Sequence, residues 1–119
     1  MLRTVLTLAL ALAASTSLAD RQYEVVGNVG VYELTLHDVI MPNGAGGTTI
    51  FKLCANCDTI ALPVQGSTLY SIRNNALALQ DFLAAVEEVR AATNGAAGVG
   101  VFYDLQTNRV TRITVYPPR

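Results

Sequence analysis

One segment of this chain carries a helical pattern, and it sets a condition on everything else. In "NNALALQDFLAAVEEVRAATNG" the apolar residues Leu79, Phe82, Leu83, Val86 and Val89 fall at helical spacing. Asn74 or Asn75 can cap the start, Asp81 lies early, Arg90 lies late and Asn94-Gly95 can end it, which predicts a helix over about 76–93. Burying five such side chains contributes on the order of 10 kcal/mol before entropy is counted. The stripe therefore needs a partner surface, and the rest of the chain offers only a sheet.

The strand patterns lie on both sides of that helix. "YELTLHDVI" alternates, with Tyr32, Leu34, Leu36 and Ile40 on one face and Glu33, Thr35 and His37 on the other. "MPNGAGG" supplies a flexible turn, and "TTIFKLC" resumes the β pattern, so Val31–Ile40 and Thr48–Cys54 are expected to form a hairpin. "TIALPV" and "TLYSI" read as two short strands with "QGS" turning between them, and Pro63 places its strand at an edge. After the helix, "GVGVFYD" sets Val99, Val101 and Tyr103 on one face, and "RVTRITVY" sets Thr111, Ile113 and Val115 on one face, with "LQTN" as the turn. Strands, one helix and a closing hairpin predict an α+β fold. Its sheet would be mostly antiparallel, with five to seven strands and the helix on one face.

The start of the chain has a different character. "MLRTVLTLALALAASTSLA" combines Arg3, an apolar run from Val5 to Ala14, and small residues up to Ala19, the layout of a secretory signal peptide cleaved after residue 19. The run is too short to span a bilayer, which takes ~20 apolar residues. The expected product is a single exported domain over residues 20–119, periplasmic or extracellular and not membrane-spanning after cleavage. Without Arg3 it carries seven Lys or Arg against nine Asp or Glu. That balance offers no basic patch for nucleic acid; Arg109, Arg112 and Arg119 near the C-terminus read as a solvated face.

Cys54 and Cys57 in "FKLCANCDTIAL" are the only cysteines. Haem attachment needs histidine directly after the pair, and Asp58 stands there. A thioredoxin-like site needs a helix after the pair, and "DTIALPV" reads as strand. Zinc needs four ligands, and His37 is the only histidine, so a site would have to recruit Asp38 or Asp58, or be shared across a dimer. In an exported chain the expected role is a disulfide locking a tight turn around Ala55 and Asn56. So short a loop gains roughly 2 kcal/mol. A thiol-redox or metal-handling role for Cys54 and Cys57 stands as the alternative.

No catalytic set converges in the sequence. His37 and Asp38 are strand neighbours, which point to opposite faces, and a hydrolase would need Ser67 or Ser71 brought close by folding. Glu87-Glu88 lie side by side on the helix, where adjacent residues do not converge. The glycines of "NGAGGTT" lead into a strand rather than a helix, unlike a phosphate loop. One helix covers one side of a sheet, so the other side is left for water or a partner. Tyr70 and Tyr116 are expected away from the helix, as surface binding residues. The reading is a non-enzymatic binding module without cofactor, acting on a protein or envelope component.

Overall fold

The computed structural model describes residues 23–118, and the leader expected over residues 1–19 lies outside the described residues. Strands β1 (Tyr23–Val26) and β2 (Val29–Thr35) form an N-terminal hairpin, and a 3-10 turn, Leu36–Asp38, leads into β3 (Val39–Ile40). Next come β4 (Thr48–Phe51), the long β5 (Ile60–Ile72), β6 (Asn75–Leu77) and helix α1 (Leu79–Thr93), and the hairpin β7 (Gly98–Asp104) and β8 (Val110–Tyr116) closes the chain. The class is α+β, strand-rich first, then the helix, then the hairpin. The sheet has eight strands rather than five to seven, ordered β1-β2-β7-β8-β5-β4-β3, with β6 also paired to β5.

The sheet is mixed, because β5 and β8 run parallel while the other pairs run antiparallel. The helix is the reason. A chain can rejoin a sheet in the same direction only through a crossover, and α1 carries the chain from β6 to β7. The closing hairpin then inserts β8 between β7 and β5.

Several local expectations are corrected. Val31–Ile40 is not one strand of a hairpin: β2 pairs with β1 and β7, and only Val39–Ile40 reaches β4. The break falls at the 3-10 turn, where the N–H groups of Leu36 and His37 donate to Ala97 and Gly95 carbonyls at 2.9 Å each, beyond the helix rather than along a strand. "TIALPV" and "TLYSI" are one strand, β5, and "QGS" is a bulge within it, since the pairing with β8 shifts register between Val64 and Leu69. Thr68 Oγ1 holds the bulge, accepting from the Gln65 N–H at 2.9 Å and donating to the Val110 carbonyl at 2.6 Å. The helix starts at Leu79 rather than near 76 because Asn75–Leu77 is taken up by pairing with β5. It ends with left-handed Asn94 (φ 55°) and Gly95 (φ 79°), as the sequence indicates. On β8, a second register shift opposite Phe102 and Tyr103 turns Val110 inward in place of Thr111.

The sheet is strongly curled. Tyr32 on β2 and Phe51 on β4 are four strand steps apart. On a flat sheet with strands about 4.8 Å apart they would be separated by ~19 Å. Their ring centroids are 5.0 Å apart. The bulged β5 is where such bending is accommodated, and the core fills the concave face: Leu34, Val64, Val99, Val101, Ile113 and Val115. Helix α1 closes that face over β5, burying Phe82 and Val86, with Leu79, Leu83 and Val89 half-buried beside them.

Tyr70 is corrected in the same way. It lies beneath the helix, 6 % exposed, with its ring 5.2 Å from that of Phe82. It shares the inward parity of Leu62, Val64 and Thr68, which are likewise buried. Tyrosines also fill the concave face over β2 and β7: Tyr32 stacks on Tyr103 at 5.4 Å, and the Tyr103 hydroxyl bonds that of Tyr23 at 3.0 Å. The Tyr103 ring crosses Gly30, its partner in the ladder, where an added Cβ would stand 2.6 Å from ring atoms Cε1 and Cζ.

Two predictions follow from this packing. Gly30→Ala must displace a buried ring held by its neighbours, and should cost about 1–3 kcal/mol in urea unfolding. Gly66→Ala, whose Cβ meets nothing within 4 Å, serves as the control; equal stability of the two variants would contradict the packing described. The second concerns Tyr70, whose buried hydroxyl has no hydrogen-bond partner among the described residues and whose pKa burial raises. That of Tyr103 is raised too, first by burial and then by the Tyr23 and Tyr32 hydroxyls. Unfolded tyrosines ionise near pH 10 while these remain neutral, so their contribution is complete below about pH 10 and is lost as pH rises above it. Tyr70→Phe should therefore gain about 1 kcal/mol at pH 8 and lessen the alkaline decline. A destabilised variant in the same denaturation series would count against this account.

Candidate functional site

Among the described residues, no helix lies over the outward face of β7, β8 and β5. The register sets Gly98 opposite Tyr116, Gly100 opposite Thr114 and Phe102 opposite Arg112, while Leu69 and Ser71 flank Arg112 and Thr114 on β5. Glycine inside a strand weakens it unless a neighbour fills the space. Here the Tyr116 ring does so. An added Cβ on Gly98 would lie 4.0 Å from Tyr116 Cβ and Cδ2, and one on Gly100 would lie 3.0 Å from Phe102 Cε1 and 3.5 Å from the Tyr116 Cε2 and hydroxyl, so the Phe102 ring shares the space over Gly100. The Tyr116 ring is thus laid along the backbone of β7, and the residue remains 49 % exposed. Tyr116 is on the uncovered face, where the sequence reading puts it; Tyr70 is not.

Side chains around the ring make a shallow hollow of about 290 Å³, lined by Leu69, Ser71, Arg73, Arg112, Thr114 and Tyr116 among others. Leu69 is 56 % exposed although its strand is central in the sheet. Ser71 Oγ and Thr114 Oγ1 hydrogen-bond at 2.9 Å. Arg73 is fixed by a left-handed backbone (φ 55°), by its N–H bond to the Val115 carbonyl at 2.8 Å, and by its guanidinium, which donates to the Pro117 carbonyl. The Arg112 guanidinium lies over the Phe102 ring, 5.7 Å from its centroid. Among the described residues the salt bridge is Arg90 with Glu87, so neither Arg73 nor Arg112 has a carboxylate partner there. Glu24 and Glu33 share the outward face but sit on β1 and β2, opposite Val31 and Gly100.

The cysteines lie elsewhere. Cys54 and Cys57 form a disulfide in the β4–β5 loop, where the Cys57 N–H donates to the Cys54 carbonyl at 3.2 Å across Ala55 and Asn56. Cys54 is exposed, and the chain passes into β5 at Ile60, so the sulfurs do not open a helix whose N-terminus would activate a thiol. Among the described residues no group of three or more His, Cys, Asp or Glu gathers as metal ligands. His37 stands in the 3-10 turn, exposed in a shallow hollow with Glu87 and Arg90 on the helix side. Asp38 accepts from the Thr35 hydroxyl at 3.2 Å, and Ser71 is bonded to Thr114 on the outward face, so folding does not assemble His37 with Ser71.

Sequence reasoning overlooked Leu69, Arg73 and Phe102 as surface residues and read Arg112 only as part of a solvated face. One signal was present: glycines at alternate positions of "GVGVFYD" mark a strand that something approaches closely. No family model, curated protein or solved structure matches the chain.

Replacing both cysteines by serine should leave the circular dichroism spectrum intact and cost about 2 kcal/mol in urea unfolding, the loop entropy of so short a closure. Loss of the folded spectrum would show that the turn does more than close a loop.

Proposed function

We propose that this protein is exported and acts as a non-enzymatic binding module, holding an envelope or extracellular component on the outward face of β7, β8 and β5. The observation that carries this reading is Tyr116, laid on a glycine floor beside the exposed Leu69. An aromatic ring that only stabilises neighbouring glycines has a structural use, but that use does not account for a leucine more than half exposed on a central strand. An exposed aromatic ring beside an exposed leucine, rimmed by arginines and hydroxyls, supports a contact surface, where aromatic side chains and Arg are enriched. A thiol-exchange role for Cys54 and Cys57 is the second reading, favoured by the exposure of Cys54 at a loop tip.

The test is co-sedimentation of the purified protein with envelope prepared from its own host. The surface reading expects retention that falls at least tenfold in a Leu69→Asp/Tyr116→Asp variant and persists in Cys54→Ser/Cys57→Ser. Retention that ignores the surface variant, or that disappears with the cysteines, would overturn it.

A further inference from the structure

Resting on that surface reading, we infer that the hollow around Tyr116 takes an acidic carbohydrate, a glycan bearing uronate-type carboxylates. Three features together specify that chemistry. The first is the flat, half-exposed ring of Tyr116. An aromatic face carries the negative lobe of its quadrupole, and the weakly positive C–H face of a pyranose packs against it.

The second is charge. Arg73 and Arg112 line the same hollow and have no carboxylate partner among the described residues. A guanidinium presents five N–H donors, and Arg73 commits part of that set to the Pro117 carbonyl. The remaining donors suit a carboxylate, which a guanidinium binds in paired geometry. The acidic residues of this face, Glu24 and Glu33, belong to β1 and β2. Glu33, opposite Gly100, stands on the β2 side of the Tyr116 ring, and Arg73 and Arg112 stand on its β5 and β8 side, so a carboxylate would be held at the arginine side of the ring. Asp104, at the far end of β7, already accepts the N–H groups of Gln106 and Thr107 at 2.8 and 3.1 Å.

The third feature separates a sugar from a peptide. Peptides commonly dock on sheets by adding a strand to a free edge. Here β7 lies between β2 and β8, and β8 between β7 and β5. Their main-chain groups are paired on both sides, so recognition in the hollow must come from side chains. Those present include the Tyr116 ring with Leu69 beside it, the Asn74 amide, the mutually bonded Ser71 and Thr114 hydroxyls, and two guanidinium groups. Ring hydroxyls and a carboxylate answer that set.

The experiment is titration of the isotope-labelled protein, followed by amide NMR, with three probes: trigalacturonate, neutral cellotriose and triglutamate. Trigalacturonate is expected to shift the amides of Ser71, Arg73, Thr114 and Tyr116 saturably. Tyr116→Ala and Arg112→Gln should each weaken binding at least tenfold, and Arg109→Gln, in the β7–β8 turn, should not. Spectra of the free variants establish that each is folded. Equal binding of cellotriose would remove the carboxylate from the inference, equal binding of triglutamate would remove the sugar, and shifts confined to other residues would remove the hollow. If no probe binds while envelope retention still depends on Leu69 and Tyr116, the glycan assignment fails and the surface reading stands. If that retention is also absent, both fail.

Discussion

The contact between Tyr32 and Phe51 ties together the two ends of a sheet that would otherwise lie far apart. It exists because β5 carries extra residues between Val64 and Leu69 and bends there, with Thr68 as the clamp. The curl gives the sheet an inside. Side chains from β2, β7, β8, β5, β4 and β3 then converge on one apolar cluster, which helix α1 closes over β5 and the tyrosines fill over β2 and β7. A flat sheet with this composition would need a second helix. The chain supplies bulky tyrosines instead, and Gly30 makes room for one of them.

Concentrating the core on the concave side leaves the convex side to stabilise itself by cross-strand pairs. Phe102 meets Arg112, Ser71 bonds Thr114, and Tyr116 lies over Gly98 and Gly100. Each pair contributes no more than about 1 kcal/mol, so this face can vary in sequence at little cost to folding. The core side cannot, because Tyr103 and Gly30, or Phe82 and Tyr70, must change together.

Periodicity made the helix and the closing hairpin legible, because an apolar stripe at helical spacing and strict alternation are local signals. The break at Leu36–Asp38 was not legible, since the bonds that replace the ladder come from Ala97 and Gly95, far along the chain. "QGS" reads as a turn by composition, and only pairing with β8, a later strand, makes it a bulge. Tyr70 shows the same limit. Its alternation with Val64 was visible, but a polar ring beneath the helix whose hydroxyl has no partner among the described residues runs against the usual rule for buried polar groups. The parallel pairing of β5 with β8 depends on where the crossover lands, which no local pattern states.

Among the described residues, burial raises the pKa of Tyr70 and Tyr103, and both belong to the core. Catalytic acids and bases are recognised by shifts of that kind inside a cleft that substrate can enter. Here the Tyr70 ring packs against Phe82 beneath the helix and the Tyr103 hydroxyl bonds that of Tyr23, while the outward face presents the Tyr116 ring, hydroxyls and guanidinium groups. The half-exposed groups of the hollow around Tyr116 lie on the opposite side of the sheet from the groups that make the fold.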